Sequence, residues 1–151
     1  MIDNAFGLFS NAQALTTTAA STNVLDMLTT RDIGVGNMLE LNVIVPTALT
    51  GGTSLQIVLQ GSATAGGAGT YYDILLSPVI VAAVLTKGAQ LFQCPVPRLY
   101  TPNMQAIGMP QYLRLNYVIV GTFGAGTITS YISAAPDRGA YYTYPRNYTT
   151  A

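Results

Sequence analysis

Apolar residues recur at every second position through three long stretches of this sequence, and that spacing decides the fold class. Leu39, Leu41, Val43 and Val45 alternate with Glu40, Asn42 and Ile44 before the pattern stops at Pro46. Leu55, Ile57 and Leu59 alternate with Gln56, Val58 and Gln60. Leu113, Leu115, Tyr117 and Ile119 alternate with Arg114, Asn116, Val118 and Val120. Successive side chains of a strand point to opposite faces, so each stretch turns one apolar face to a core and a more mixed face outward. Ile128, Ser130 and Ile132 carry a weaker version of the pattern. The runs are rich in β-branched and aromatic residues, which pack well on a pleated surface.

Breakers separate the runs: Gly51-Gly52, Gly66-Gly67-Ala68-Gly69, Gly88, the Pro95–Pro110 region and Gly121–Gly126. Glycine reaches positive φ cheaply and proline removes a ladder donor, so both mark strand ends. Runs bounded this way predict strands near residues 12–19, 22–29, 38–46, 54–61, 71–77, 89–95, 111–120 and 127–134. No segment holds a 3.6-residue period long enough for crossover helices, which argues against a parallel α/β sheet. The expected fold is all-β: a single jelly-roll-like barrel or sandwich of about eight antiparallel strands. Tyr112–Tyr117 and Ile128–Ile132 read as a hairpin closed by the flexible loop Gly121–Gly126. Phe6–Ser10 suits one helical turn, and Val79–Leu85 suits either strand or helix.

A chain of 151 residues is the size of one domain. Residues 1–136 are expected to form the β-barrel domain with a short N-terminal segment. Past Pro136 the alternation ends. Residues 137–151 hold Tyr141, Tyr142, Tyr144 and Tyr148, four of the ten tyrosines, together with Arg138, Pro145 and Arg146. This stretch reads as an extended C-terminal arm that either lies on its own domain or docks on a neighbouring subunit. Tyrosine and arginine suit docking because they bring large contact area and a polar handle at modest entropy cost. Phe6 and Phe9 pose the same choice, between capping the barrel and docking.

Catalytic chemistry has little to work with. The chain has no histidine, which removes the commonest proton-transfer group near neutral pH, the commonest metal ligand and every histidine-based triad. The six acids, Asp3, Asp26, Asp32, Glu40, Asp73 and Asp137, are scattered. Asp32 beside Arg31 reads as a turn-fixing pair, and Glu40 as a residue on an outward strand face. A hydrolase would need two of these carboxylates to meet in space. Gly34-Val35-Gly36 lacks the third glycine and following helix of a phosphate loop, and reads as a tight turn. No metal-ligand spacing is present, although loop carbonyls with Asp73 leave a calcium site open. Cys94, the single cysteine, has no intramolecular partner and reads as a small buried hydrophobe. The expectation is a protein that is not an enzyme and uses no cofactor.

Charge is scarce, at 8% of residues with a formal net charge of zero, against about 25% in ordinary soluble domains. The six basic residues lie singly, so no stripe is set up to neutralise nucleic-acid phosphates and no polybasic patch faces a membrane. The longest apolar run, Val79–Leu85, is far shorter than the roughly 20 residues of a spanning helix. Asp3 stands where an export signal would carry basic residues, so manufacture and use without export are expected. Such a neutral, apolar chain is best suited to having much of its surface covered by a partner.

The order of segments resembles a known family. Asn11-Ala12-Gln13-Ala14 leads to Ala19-Ala20-Ser21-Thr22-Asn23-Val24-Leu25-Asp26 and then to Arg31-Asp32-Ile33-Gly34-Val35-Gly36. Leu55–Gln60 and Tyr112-Leu113-Arg114-Leu115-Asn116-Tyr117 follow, so the likeness covers most of residues 8–135. In these fold-level motifs the chain resembles the capsid cement (decoration) proteins of tailed phages, which have a jelly-roll β-barrel. The resemblance implies a non-enzymatic virion protein, made in the host cytoplasm and placed on the outer capsid surface. It would bridge subunits of the major capsid protein, stabilise the shell, and self-associate as dimers or trimers. Neither nucleic acid nor membrane is an expected partner. The expected interface residues are Tyr141, Tyr142, Tyr144, Arg146 and Tyr148, with Phe6 and Phe9. The competing reading is a ligand-binding β-sandwich, either a carbohydrate-recognition or a host-attachment module.

Overall fold

A computed structural model describes residues 7–30, 32–33, 39–64, 71–99 and 108–134. Among these residues eight strands occur in chain order: β1 (Leu8–Ala14), β2 (Ala19–Ala20), β3 (Leu25–Asp26), β4 (Leu39–Ser62), β5 (Tyr72–Leu76), β6 (Ile80–Val81), β7 (Gln90–Pro95) and β8 (Tyr112–Ala134). Every pairing between them is antiparallel. The pairing is nested. β1 pairs with the end of β8, and β2 and β3 pair with its beginning. The first part of β4 pairs with β7, and its second part with β5 and β6. The chain is thus one long doubled ribbon, rolled so that β4 and β8 also pair along nearly their whole length. This is the wrapping of a jelly roll, in which eight strand segments form two four-stranded layers.

The sheet is folded into a sandwich and is not closed into a barrel, because the hydrogen-bonded path β1-β8-β4-β5 does not return to β1. One layer is β1, the end of β8, the start of β4 and β7. The other is β2 with β3, the start of β8, the end of β4, and β5 with β6. Between the layers lies a single apolar core that takes Phe9, Leu41 and Val43 with Ile128 from one side and Leu55, Ile57, Leu59, Leu113 and Leu115 from the other. These are the period-two positions, and each fully buried aliphatic side chain contributes about 1.5–3 kcal/mol.

Tyr117 shows directly that the layers face each other. Ser10 and Ser130 lie opposite one another on β1 and β8, and the Tyr117 hydroxyl reaches both, at 2.7 Å and 2.6 Å. Ser10 also donates to Gln13 Oε1 at 2.7 Å. All three oxygens are therefore satisfied within an otherwise apolar core, where an unmade bond would be costly.

Several local expectations are corrected. Gly51-Gly52 does not end a strand, and neither does Pro46; both lie within β4. Register shifts between Ile44 and Ser54 show the bend is made of successive bulges, which raise twist and redirect a strand without ending it. Gly121–Gly126 likewise lies within β8. The expected hairpin of Tyr112–Tyr117 with Ile128–Ile132 does not form, since the two stretches sit in opposite layers and each pairs with β4. At Gly126, φ is +124° and a Cβ would lie 2.6 Å from the Ala48 carbonyl oxygen, so the bend needs glycine there. Leu8–Ser10 is strand rather than helix. Val79–Leu85 divides between strand β6 and a 3-10 turn at Ala82–Val84.

Candidate functional site

The outer face of the second layer changes character along its strands. Residues opposite one another on β5, β4 and β8 form rows across the sheet, and rows on one face are about 7 Å apart. The first row is Asp73, Gln60 and Arg114. Here Gln60 Nε2 donates to Asp73 Oδ1 at 2.7 Å and Arg114 Nε donates to Gln60 Oε1 at 2.9 Å. The Arg114 guanidinium lies 3.7 Å from the centroid of the Tyr71 ring, a contact that attracts through the ring quadrupole. The next row is Leu76, Val58 and Asn116. Then come Gln56 and Val118, with Gln56 Nε2 donating to the Ser77 carbonyl at 3.0 Å. The last row is Val81, Ser54 and Val120.

Val81 and Val120 are each 55% exposed although they belong to the regular sheet. Leu76 on β5 is exposed in the same way, as are Val79 before β6 and Val84 in the 3-10 turn. Five of the seven large exposed hydrophobic side chains among the described residues therefore gather around β5, β6 and the end of the bend's β8 arm. Isolated exposed aliphatic residues are ordinary, but several exposed on neighbouring strands of one sheet suit an interaction surface. The sequence carried the signal in the outward valines Val118 and Val120 and in the apolar run Val79–Leu85. Period-two reading assigned the outward face as merely mixed, and so missed it.

The described carboxylates serve the fold. Asp26 Oδ1 accepts from the Leu28 amide at 2.8 Å and from Gln111 Nε2 at 3.1 Å. Asp32 Oδ1 accepts from the Leu99 amide at 3.0 Å, tying two remote segments together. Glu40, expected on an outward strand face, is instead buried at 2% exposed and accepts from Gln93 Nε2 at 2.8 Å. Its neighbour Asn42 donates to Ser133 Oγ at 2.9 Å and accepts from Gln90 Nε2 at 3.4 Å. Among the described residues no three metal-ligating side chains come together, and no helix is long and apolar enough to cross a membrane.

Cys94 is half-buried against the core. Burial, helped by the nearby Glu40 charge, pushes its thiol from the ordinary value of 9.0 up to about 11, so it stays protonated and unreactive at neutral pH. Burial also raises the Tyr117 phenol, against the opposing pull of its bonds to Ser10 and Ser130.

Of the interface residues expected from sequence, Phe9 is corrected. Its side chain is 1% exposed in the core, because β1 turns it inward between the layers, and it has no surface to offer a partner. Phe6, Tyr141, Tyr142, Tyr144, Arg146 and Tyr148 lie outside the described residues, as do Arg31 and Gly34–Gly36.

No curated protein matches the chain. The family model named Bbp16 matches residues 9–132, a stretch that runs from the second residue of β1 almost to the end of β8. The chain belongs to the Bbp16 family.

Proposed function

We propose that this chain is a structural virion protein, a capsid cement (decoration) protein that covers junctions between major capsid protein subunits on the outer surface of a tailed-phage shell. The observation that carries the reading is the set of exposed aliphatic side chains Leu76, Val81 and Val120 on the outer face of the second layer, with Val79 and Val84 exposed in the segments beside β6, in a chain with only 8% charged residues. A face of that kind loses water favourably against a complementary protein surface. The resemblance of residues 8–135 to cement proteins supports the same reading. Each contact can be modest, since many copies on one repeating lattice gain through multivalency. The protein is made in the host cytoplasm, acts on the capsid exterior, and self-associates as a dimer or trimer. The reading assigns it no reaction and no cofactor.

Co-sedimentation with mature and immature phage shells tests this. Saturable binding at a fixed number of copies per shell, preferring mature particles, is the expected result. A chain carrying both Leu76→Asp and Val120→Asp is expected to fold, since both positions are exposed, and to lose that binding. Absence of saturable binding to either shell form would overturn the reading, and retention on a glycan array would then favour a ligand-binding sandwich.

A further inference from the structure

Leu28 combines two unfavourable features that bring no return among the described residues. Its side chain is 74% exposed, the largest value among the exposed hydrophobic residues described. Its φ is +64°, in the left-handed region that glycine and asparagine visit readily and branched, bulky residues rarely do. The surrounding structure holds it there. The Leu28 amide donates to Asp26 Oδ1 at 2.8 Å, and Gln111 Nε2 holds the same oxygen at 3.1 Å. The Met27 amide donates to the Gln111 carbonyl at 2.9 Å, while the Met27 side chain is buried in the core. Leucine is thus fixed outward by its neighbours on both the hydrogen-bonding and the packing side. Strain that persists because its surroundings over-determine it is concentrated at clamps and binding points.

We infer that Leu28 is a pre-set anchor that inserts into an apolar pocket on the partner protein. The inference rests on the shell-binding reading and names a second contact point for it. β3 pairs Leu25 with Leu113 and Asp26 with Tyr112, so Leu28 stands at the start of β8, roughly 25 Å along that strand from Val120. Two apolar contacts held that far apart on one rigid body suit an extended, regular protein surface better than a small ligand. Val24, Thr29 and Thr30 around the anchor are exposed and uncharged. The carboxylate at its base, Asp26, would repel the phosphates of a nucleic acid or an anionic lipid surface.

The test uses the full chain with Leu28→Asn, which removes the apolar side chain and tolerates positive φ. Shell co-sedimentation and urea unfolding are measured on both proteins. The variant is expected to unfold at the same or higher urea concentration and to bind shells about 10- to 100-fold more weakly. Equal binding by the two proteins overturns the anchor assignment and leaves shell binding intact. A clearly lower unfolding midpoint also overturns it, because leucine would then be supporting the fold. If the parent chain itself fails to bind shells, the function proposed above and the anchor fall together.

Discussion

Tyr117 is the residue through which the two layers are most directly tied, because its hydroxyl meets Ser10 and Ser130 at the centre of the core. Replacing it with phenylalanine keeps the ring but takes the Tyr117 bond from the buried Ser130 hydroxyl, while Ser10 keeps its bond to Gln13. Tyr117→Phe is expected to lower stability by about 1–3 kcal/mol, read as a shift in urea midpoint with unchanged slope. Cys94 gives a pH signature. Its thiol ionises near 9.0 when unfolded and near 11 when folded, so the folded state binds the extra proton in that interval. Its contribution to stability is full below pH 9 and lost as pH rises towards 11. Cys94→Ala is therefore expected to show a flatter fall in stability over this window, and alkylation of the parent thiol at pH 8 to be much slower than that of free cysteine. Ala12, held at φ +47° beside the β1 bulge, is a place where glycine fits better. Ala12→Gly is expected to leave the melting temperature unchanged or raise it slightly, the relief of strain offsetting the added freedom of the unfolded chain.

At the scale of elements, the bends in β4 and β8 decide the architecture. A side chain at Gly52 would enter the Phe123 ring, and Phe123 is itself fully buried. Gly126→Ala adds backbone strain to a close approach to Ala48. Each replacement is expected to cost about 1–3 kcal/mol or more, seen as a drop of several degrees in melting temperature. These bends also mark the limit of what the sequence discloses. Leu41, Val43, Val45, Leu55, Ile57, Leu59, Leu113, Leu115 and Tyr117 read as core from their spacing and are buried. Glycine, by contrast, signals equally a turn that ends a strand and a bulge that redirects one. Only the strand lying opposite distinguishes the two, and for β8 that strand is the distant β4. The same locality misjudged extents near the N-terminus: in place of the strands expected near 12–19 and 22–29, β1 runs from Leu8 to Ala14, and β2 and β3 are two residues each, existing as strands through their pairing with β8.

For the whole molecule, the all-β sandwich was legible because one apolar period recurs through the chain, whereas the apolar outer face was not, because it arises only when β5, β4 and β8 align. The described strands pair among themselves within residues 8–134. Deleting residues 137–151 is thus expected to leave a cooperative unfolding transition and to weaken shell binding; full-strength binding by the truncated chain would remove the tyrosine-rich arm from the interface. The position of β8 governs when the protein can fold. It is the last described strand in the chain, yet it lies inside both layers, between β1 and β4 in one and between β2 with β3 and β4 in the other. During synthesis neither layer can close until β8 has left the ribosome, so the nascent chain must wait with its central ladder unmade. Its partners come from far apart in sequence, a topology that folds slowly. A chain stalled before residue 112 can pair β4 with β5, β6 and β7 but has nothing to join them to β1, β2 and β3.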